Sequence, residues 1–311
     1  MPAARPRDVL TDPAPVEEPL DEHDPRTALQ HGVRNALLAV PAHFSFDSRI
    51  SGVDAHDLFG LHSLLRDGIE GEVVRTLNRL REVWDPEGRW SDCSFERSRS
   101  AFPDVRLVRH QPDGPVIILG IVLHAGFLLA KDGAPDLIYR ATPAACAAHD
   151  LICVMPWHLS DATAGSVQVV QPWLASARFT ALWRDHCWER SRRSAGSVEG
   201  IYHPPDAQPY PERTAHADAF PDEDSCRDFG SLPGCIPLMD DFLARTWRHE
   251  VLGIPARDWY LFLRVHSETT TPCDVTAALQ VRLYERLGPI NSASAREVLA
   301  LLEELTTLFR P

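Results

Sequence analysis

FPDVRLVR at residues 102–109 and VIILGIVLH at residues 116–124 decide how this 311-residue chain folds. Both runs are rich in β-branched residues, and QPDG at 111–114 lies between them as a turn signal. Two strands joined by a tight turn are therefore expected here. The head of the first run, Phe102-Pro103-Asp104-Val105, sets a carboxylate where the strand begins. The period of two along the second run puts Val122 and His124 on one face of it.

Outward from this pair, the pattern changes on both sides. Upstream, Leu58, Leu61, Leu64, Leu65, Ile69, Val73, Val74, Leu77 and Leu80 recur at spacings of three and four, which predicts a helix between Asp54 and Trp84. Gly68 and Gly71 are candidate breaks in it. Thr27–Leu38 reads as a shorter helix. Downstream, Phe127–Ala130, Leu137–Arg140, Leu151–Pro156 (LICVMP) and Val167–Val170 (VQVV) read as further strands, with KDGAP at 131–135 as a turn. The run at 116–130 is expected to form a hairpin. Pro172–Arg193 reads as a helix ending in the basic RSRR, and Met239–Val251, Ala256–Ser267, Val275–Leu287 and Ala295–Arg310 read as helices. In the last of these, Ser294 and Glu297 form a capping box. The order of elements implies an α/β protein: a mixed sheet flanked by helices, with a C-terminal helical region.

Charge marks the boundaries. The net charge is −13, and nine of those negative charges fall in two proline-rich stretches, residues 1–26 and 200–228. Both are poor in aliphatic residues and are expected to be loosely packed. The division that follows is an acidic flexible tail (1–26), an α/β core (27–193), an acidic, proline-rich insertion or loop (194–234) and the C-terminal helical region (235–311). An acidic chain is a poor general coat for nucleic acid, although a local basic surface remains open because the rest of the chain carries a net charge of only −4; Lys131 is the single lysine against 30 arginines. No apolar run reaches the roughly 18 residues of a membrane span, so no membrane partner is expected. Seven cysteines without a CxxC pair read as reduced thiols, and a cytoplasmic location is expected.

The helix at 58–80, the strand at 104–109 and the run at 116–130 have the layout of a PD-(D/E)xK nuclease core. Phosphodiester cleavage of this kind needs hard oxygen ligands to hold magnesium, which activates water and clamps the phosphate. Asp104 supplies the first carboxylate. On a helical wheel Glu70 falls about 20° from Leu77, on the apolar stripe, whereas Glu72 falls on the opposite side. A glutamate facing inward needs a partner or a metal, so Glu70 is the second candidate; an arginine-paired structural glutamate is the alternative.

Longer segments carry a closer resemblance. EGEVVRTLNRLREVWDPEGRW (70–90), FPDVRLVR, ILGIVLHAGFLLAKDG (118–133), TPAACAAHDLICVMPWHLS (142–160), WLASARFTALWR (173–184), DFGSLPGCIPLMDDF (228–242) and EVLGIPARDWYLF (250–262) together resemble an uncharacterised bacterial family of the restriction-endonuclease-like PD-(D/E)xK superfamily. The similarity spans about Ala55 to Glu268. In that family the second strand reads GIELKGWYLLAK. The resemblance therefore implies a metal-binding glutamate and a lysine at the positions held here by Val122 and His124. Valine ligates nothing, and histidine is mostly neutral near pH 7. Lys131 is seven residues on, roughly 23 Å along an extended strand.

Two functions follow from the resemblance. In the first, the chain is a pseudo-nuclease with a remnant site of Asp104, Glu70 and His124, acting by binding double-stranded DNA, a protein partner or a second copy of itself. In the second, it is an active Mg-dependent (or Mn-dependent) DNA endonuclease with a rearranged site, Glu70 and Asp104 holding the metal and His124 replacing the lysine. The broken motif favours the first and leaves any metal weakly held or absent. Zinc ligands among His149, Cys153, His158, His186 and Cys187 form no CxxC or HxxxH pair. Trp173, Phe179, Trp183 and Trp188 suit a core better than base stacking, while Arg184, Arg190, Arg192 and Arg193 are candidate phosphate contacts.

Overall fold

The structure is a computed structural model that describes residues 13–52, 55–98, 101–130, 137–194, 200–204, 208–211, 217–221, 229–232 and 238–268. Lys131, the first twelve residues of the acidic tail and the helices expected at 275–287 and 295–310 lie outside them.

Helix α1 (Pro25–His43) starts where Asp24 accepts the Arg26 N–H at 2.8 Å and Pro25 takes the first helical position. A short strand β1 (Arg49–Ile50) follows, then α2 (Ala55–Arg79) and the single turn α3 (Arg81–Trp84). Gly68 and Gly71 do not break α2, which is continuous through both. Next come β2 (Cys93–Arg97), β3 (Val105–Gln111), β4 (Gly114–Phe127), β5 (Leu151–Leu159), β6 (Gly165–Val169) and β7 (Trp173–Ser176). Helix α4 (Ala177–Ser194) leads to a two-stranded pair, β8 (Ile201–Tyr202) and β9 (Phe220–Pro221). The described chain closes with α5 (Asp240–Arg248), the hairpin β10 (Glu250–Val251) and β11 (Ile254–Pro255), and α6 (Ala256–Glu268).

The main sheet is mixed and curled, in the order β1-β6-β5-β4-β3-β2. Its β4–β5 pair is parallel and the other pairs are antiparallel. One side of β5 has two partners: β7 along Leu151–Val154 and β6 along Trp157–Leu159. All nine residues of β5 are buried, which matches a strand covered on both faces. Leu119, Ile121, Leu123, Ala125 and Phe127 of β4 pack with Ile69, Val73 and Leu77 of α2 and with α1. On the other face Ile152 and Val154 meet Ala177 and Ala181 of α4, with Val122 at the margin.

Several sequence expectations change. The run at 116–130 is not a hairpin: β4 is one long strand, and the hairpin is β3–β4 around the QPDG turn. Trp173–Ser176, expected as the first turn of a helix, is strand β7, and α5 ends at Arg248 before the β10–β11 hairpin. Among the described residues of 200–228, Ala217 and Ala219 pack into the body of the protein, while most of the others are half-buried or exposed. Ala217, Ala219, Phe229 and Leu232 are buried, and Ile138 and Ala141 form bridges with Ser231 and Asp218. Ala217 and Leu232 join the cluster on the face of the sheet that carries α4, and Ala219 and Phe229 pack with Trp188.

Candidate functional site

Strand β3 begins at Val105, opposite Ile121, while β4 runs on to Phe127. Beyond Ile121 the described residues place no strand on that side of β4. The exposed backbone donors face carboxylates instead. Asp104, in the bend before β3, stands close enough to the Leu123 N–H to feel its dipole. Glu70 Oε1, from α2, accepts the N–H of Ala125 at 3.4 Å. These amides are two residues apart, roughly 7 Å of strand, so the two acids share one strip of edge.

Their charge states are set by what surrounds them. Burial, then the charge of Glu70, pushes Asp104 up to about 6 against the opposing pull of Arg66, the Leu123 amide and Arg97. Glu70 is almost wholly buried, and both its oxygens are engaged. Arg66 Nε donates to Oε1 at 2.8 Å, and Arg97 Nη2 donates to Oε2. Arg97 is itself braced by the carbonyl of Asp67 at 3.0 Å and its carboxylate at 2.7 Å. The geometry of Glu70 is that of an arginine-paired structural glutamate. Glu72, expected on the outer side of α2, is also buried, under Arg75 at 2.6 Å and Arg79 at 2.9 Å.

His124 is buried in β4, in register with Val154 of β5. Strand alternation turns it, with Val122, away from the face on which Leu123 and Ala125 pack against α2. The fold thus brings Glu70 and Asp104 together and sets His124 on the far side of β4 from Glu70. Two guanidinium groups already pair with Glu70, so the charge of its carboxylate is shared with Arg66 and Arg97. Among the described residues no group of three or more His, Cys, Asp or Glu side chains is placed to hold a metal.

A second acid cluster gave no sequence signal. Asp150, at the head of β5, accepts the N–H groups of Gly120 and Ala147 and the hydroxyl of Tyr210, each at 2.7 Å. Burial outweighs these bonds and pushes it up to about 6. Gly120 is required at this contact, since a Cβ there would lie 2.5 Å from Pro103 Cγ and 2.9 Å from Asp150 Oδ1. Asp150 came with no motif, and only a buried turn preceding an apolar strand could have marked it.

The arginines expected on a phosphate-binding face divide. Arg184 is fully buried and donates to the carbonyls of Tyr139 and Ala141 at 2.8 and 2.9 Å and to Asp185, so it is structural. Arg192 lies 4.3 Å over the Trp188 ring, which packs edge-on against Phe229. No described helix is long and apolar enough to cross a membrane. Comparison with protein-family models, curated proteins and solved structures finds no match to the chain.

Proposed function

We propose that the chain is a nuclease-fold protein of the PD-(D/E)xK kind that engages its partner without cutting it. One observation carries this reading: both oxygens of Glu70 are held by Arg66 and Arg97, so the acid that would complete a metal site is committed to an ion-pair network. The layout supports the nuclease ancestry, with a helix packed on a strand pair whose first strand opens at Asp104. The substitutions Val122 and His124 support the loss of cleavage. A rearranged catalytic trio is disfavoured because His124 turns away from Glu70. The protein then acts through binding, to double-stranded DNA or to a protein surface, a second copy included.

Plasmid nicking in Mg²⁺ and in Mn²⁺, compared between the wild type and Asp104→Ala, tests this. The expected result is no Asp104-dependent cleavage with either ion. Labelled duplex DNA in an anisotropy titration and light scattering of the free protein then separate the DNA-bound from the self-associated form. Efficient nicking that disappears in Asp104→Ala overturns the proposal.

A further inference from the structure

His158 lies near the end of β5 and is buried. Its Nδ1 sits 2.9 Å from the carbonyl oxygen of Leu159, an atom that can only accept, so Nδ1 carries the proton and Nε2 presents a lone pair. That lone pair faces His249 Nε2 at 3.1 Å, across 91 residues of chain. His249 caps the C-terminus of α5 and is fixed on both sides of its backbone. Its N–H donates to Thr246 at 3.2 Å, and its carbonyl accepts from Ala256 at 2.7 Å.

We propose that His158 and His249 form a two-imidazole clamp for one divalent late first-row metal ion of the zinc class, and that this ion fastens the α5–α6 region to the sheet. A histidine ligand characteristically donates its other ring N–H to a carbonyl, as His158 does to Leu159. With metal–nitrogen bonds of about 2.0–2.1 Å, a 3.1 Å separation subtends an angle of about 100° at the metal, between the octahedral and tetrahedral values. Negative charge stands next to the pair. Glu250 follows His249 in the chain. His249 is only half-buried, so water can complete the coordination. With two protein ligands the affinity belongs in the micromolar range rather than that of a closed four-ligand site.

The rival arrangement is a plain hydrogen bond in which His249 Nε2–H donates to His158. Zinc separates the two. The wild type, stripped with a chelator and dialysed, is titrated with Zn²⁺ against a chromophoric indicator, beside His249→Ala and His249→Gln. Both substitutions are at the half-buried partner, and circular dichroism checks that each variant folds. The wild type is expected to take up one zinc ion that both variants bind at least ~10-fold more weakly. Zinc should also raise the Tm of the wild type and leave that of the variants unchanged. Equal zinc affinity in all three proteins, or a Tm in the wild type that ignores zinc, overturns the clamp and leaves the hydrogen-bonded pair.

Discussion

Burying Glu70 removes a carboxylate from water, and the fold compensates with two guanidinium groups and a backbone amide. Removing one partner should therefore cost far more than the pair is worth against an apolar substitute. Arg97→Ala leaves Glu70 with the more exposed Arg66, and the expected loss is about 2–4 kcal/mol in urea unfolding. Asp104 has the opposite character. Its pKa rises from 3.8 to about 6 on folding, so between about pH 4 and 6 the folded state binds more protons than the unfolded one. Stability should fall as pH rises through that window. Asp104→Asn should remove the fall and gain about 2 kcal/mol over the wild type at pH 7, with little difference at pH 4. Unfolding curves at the two pH values check both statements. The helical wheel placed Glu70 on the buried stripe, but it could not place Glu72, because arginine stems from the same helix fold over the side the wheel left to solvent. Nor could spacing pair His158 with His249, since only the tertiary fold brings them together.

Among the elements, the strand pair at the centre was readable because β-branched residues and the QPDG turn agree with each other. The continuity of β4 was not, since Ala125-Gly126 interrupts the β-branched run while the ladder with β5 holds the backbone extended. Strand β7 was missed for a similar reason: Trp-Leu-Ala-Ser has no alternation, and it becomes a strand by pairing with β5. Strand β2 was missed because its charged positions hide an alternation whose inner members are Cys93 and Phe95. The contact of β4 with the head of β5 is a tight seam. Gly120→Ala should destabilise the protein by about 2–3 kcal/mol, because the new methyl group meets Pro103 and Asp150 at once. Tyr210→Phe, which only removes a hydroxyl from Asp150, should cost about 1–2 kcal/mol. Thermal unfolding of the two variants ranks them, and the reverse order would mean that the seam can relax around a methyl group.

At the scale of the molecule, the fold class followed from the order of periodicities, whereas the packing of 200–232 did not. Acidic, proline-rich composition argued for looseness across 200–228, yet Ala217 and Ala219 there pack into the body beside α4. The parallel β4–β5 pair, covered on both faces, should hold the slowest amides in hydrogen exchange, across Ile121–Phe127 and Leu151–Trp157. Slower exchange in β2 or β1 would contradict that.

The overhang of β4 past the start of β3 also bears on how the chain avoids its own copies. A strand that outruns its neighbour offers unpaired amides to any other strand and templates edge-to-edge association. Glu70 occupies the Ala125 amide and Asp104 stands beside the Leu123 amide, both bringing negative charge, so an incoming strand would have to displace an ion-pair network to add itself. During refolding, before α2 has docked, Asp104 alone guards the edge from within the hairpin. Asp104→Ala should then leave more of the chain in light-scattering aggregates than Asp104→Asn, which keeps an acceptor beside Leu123.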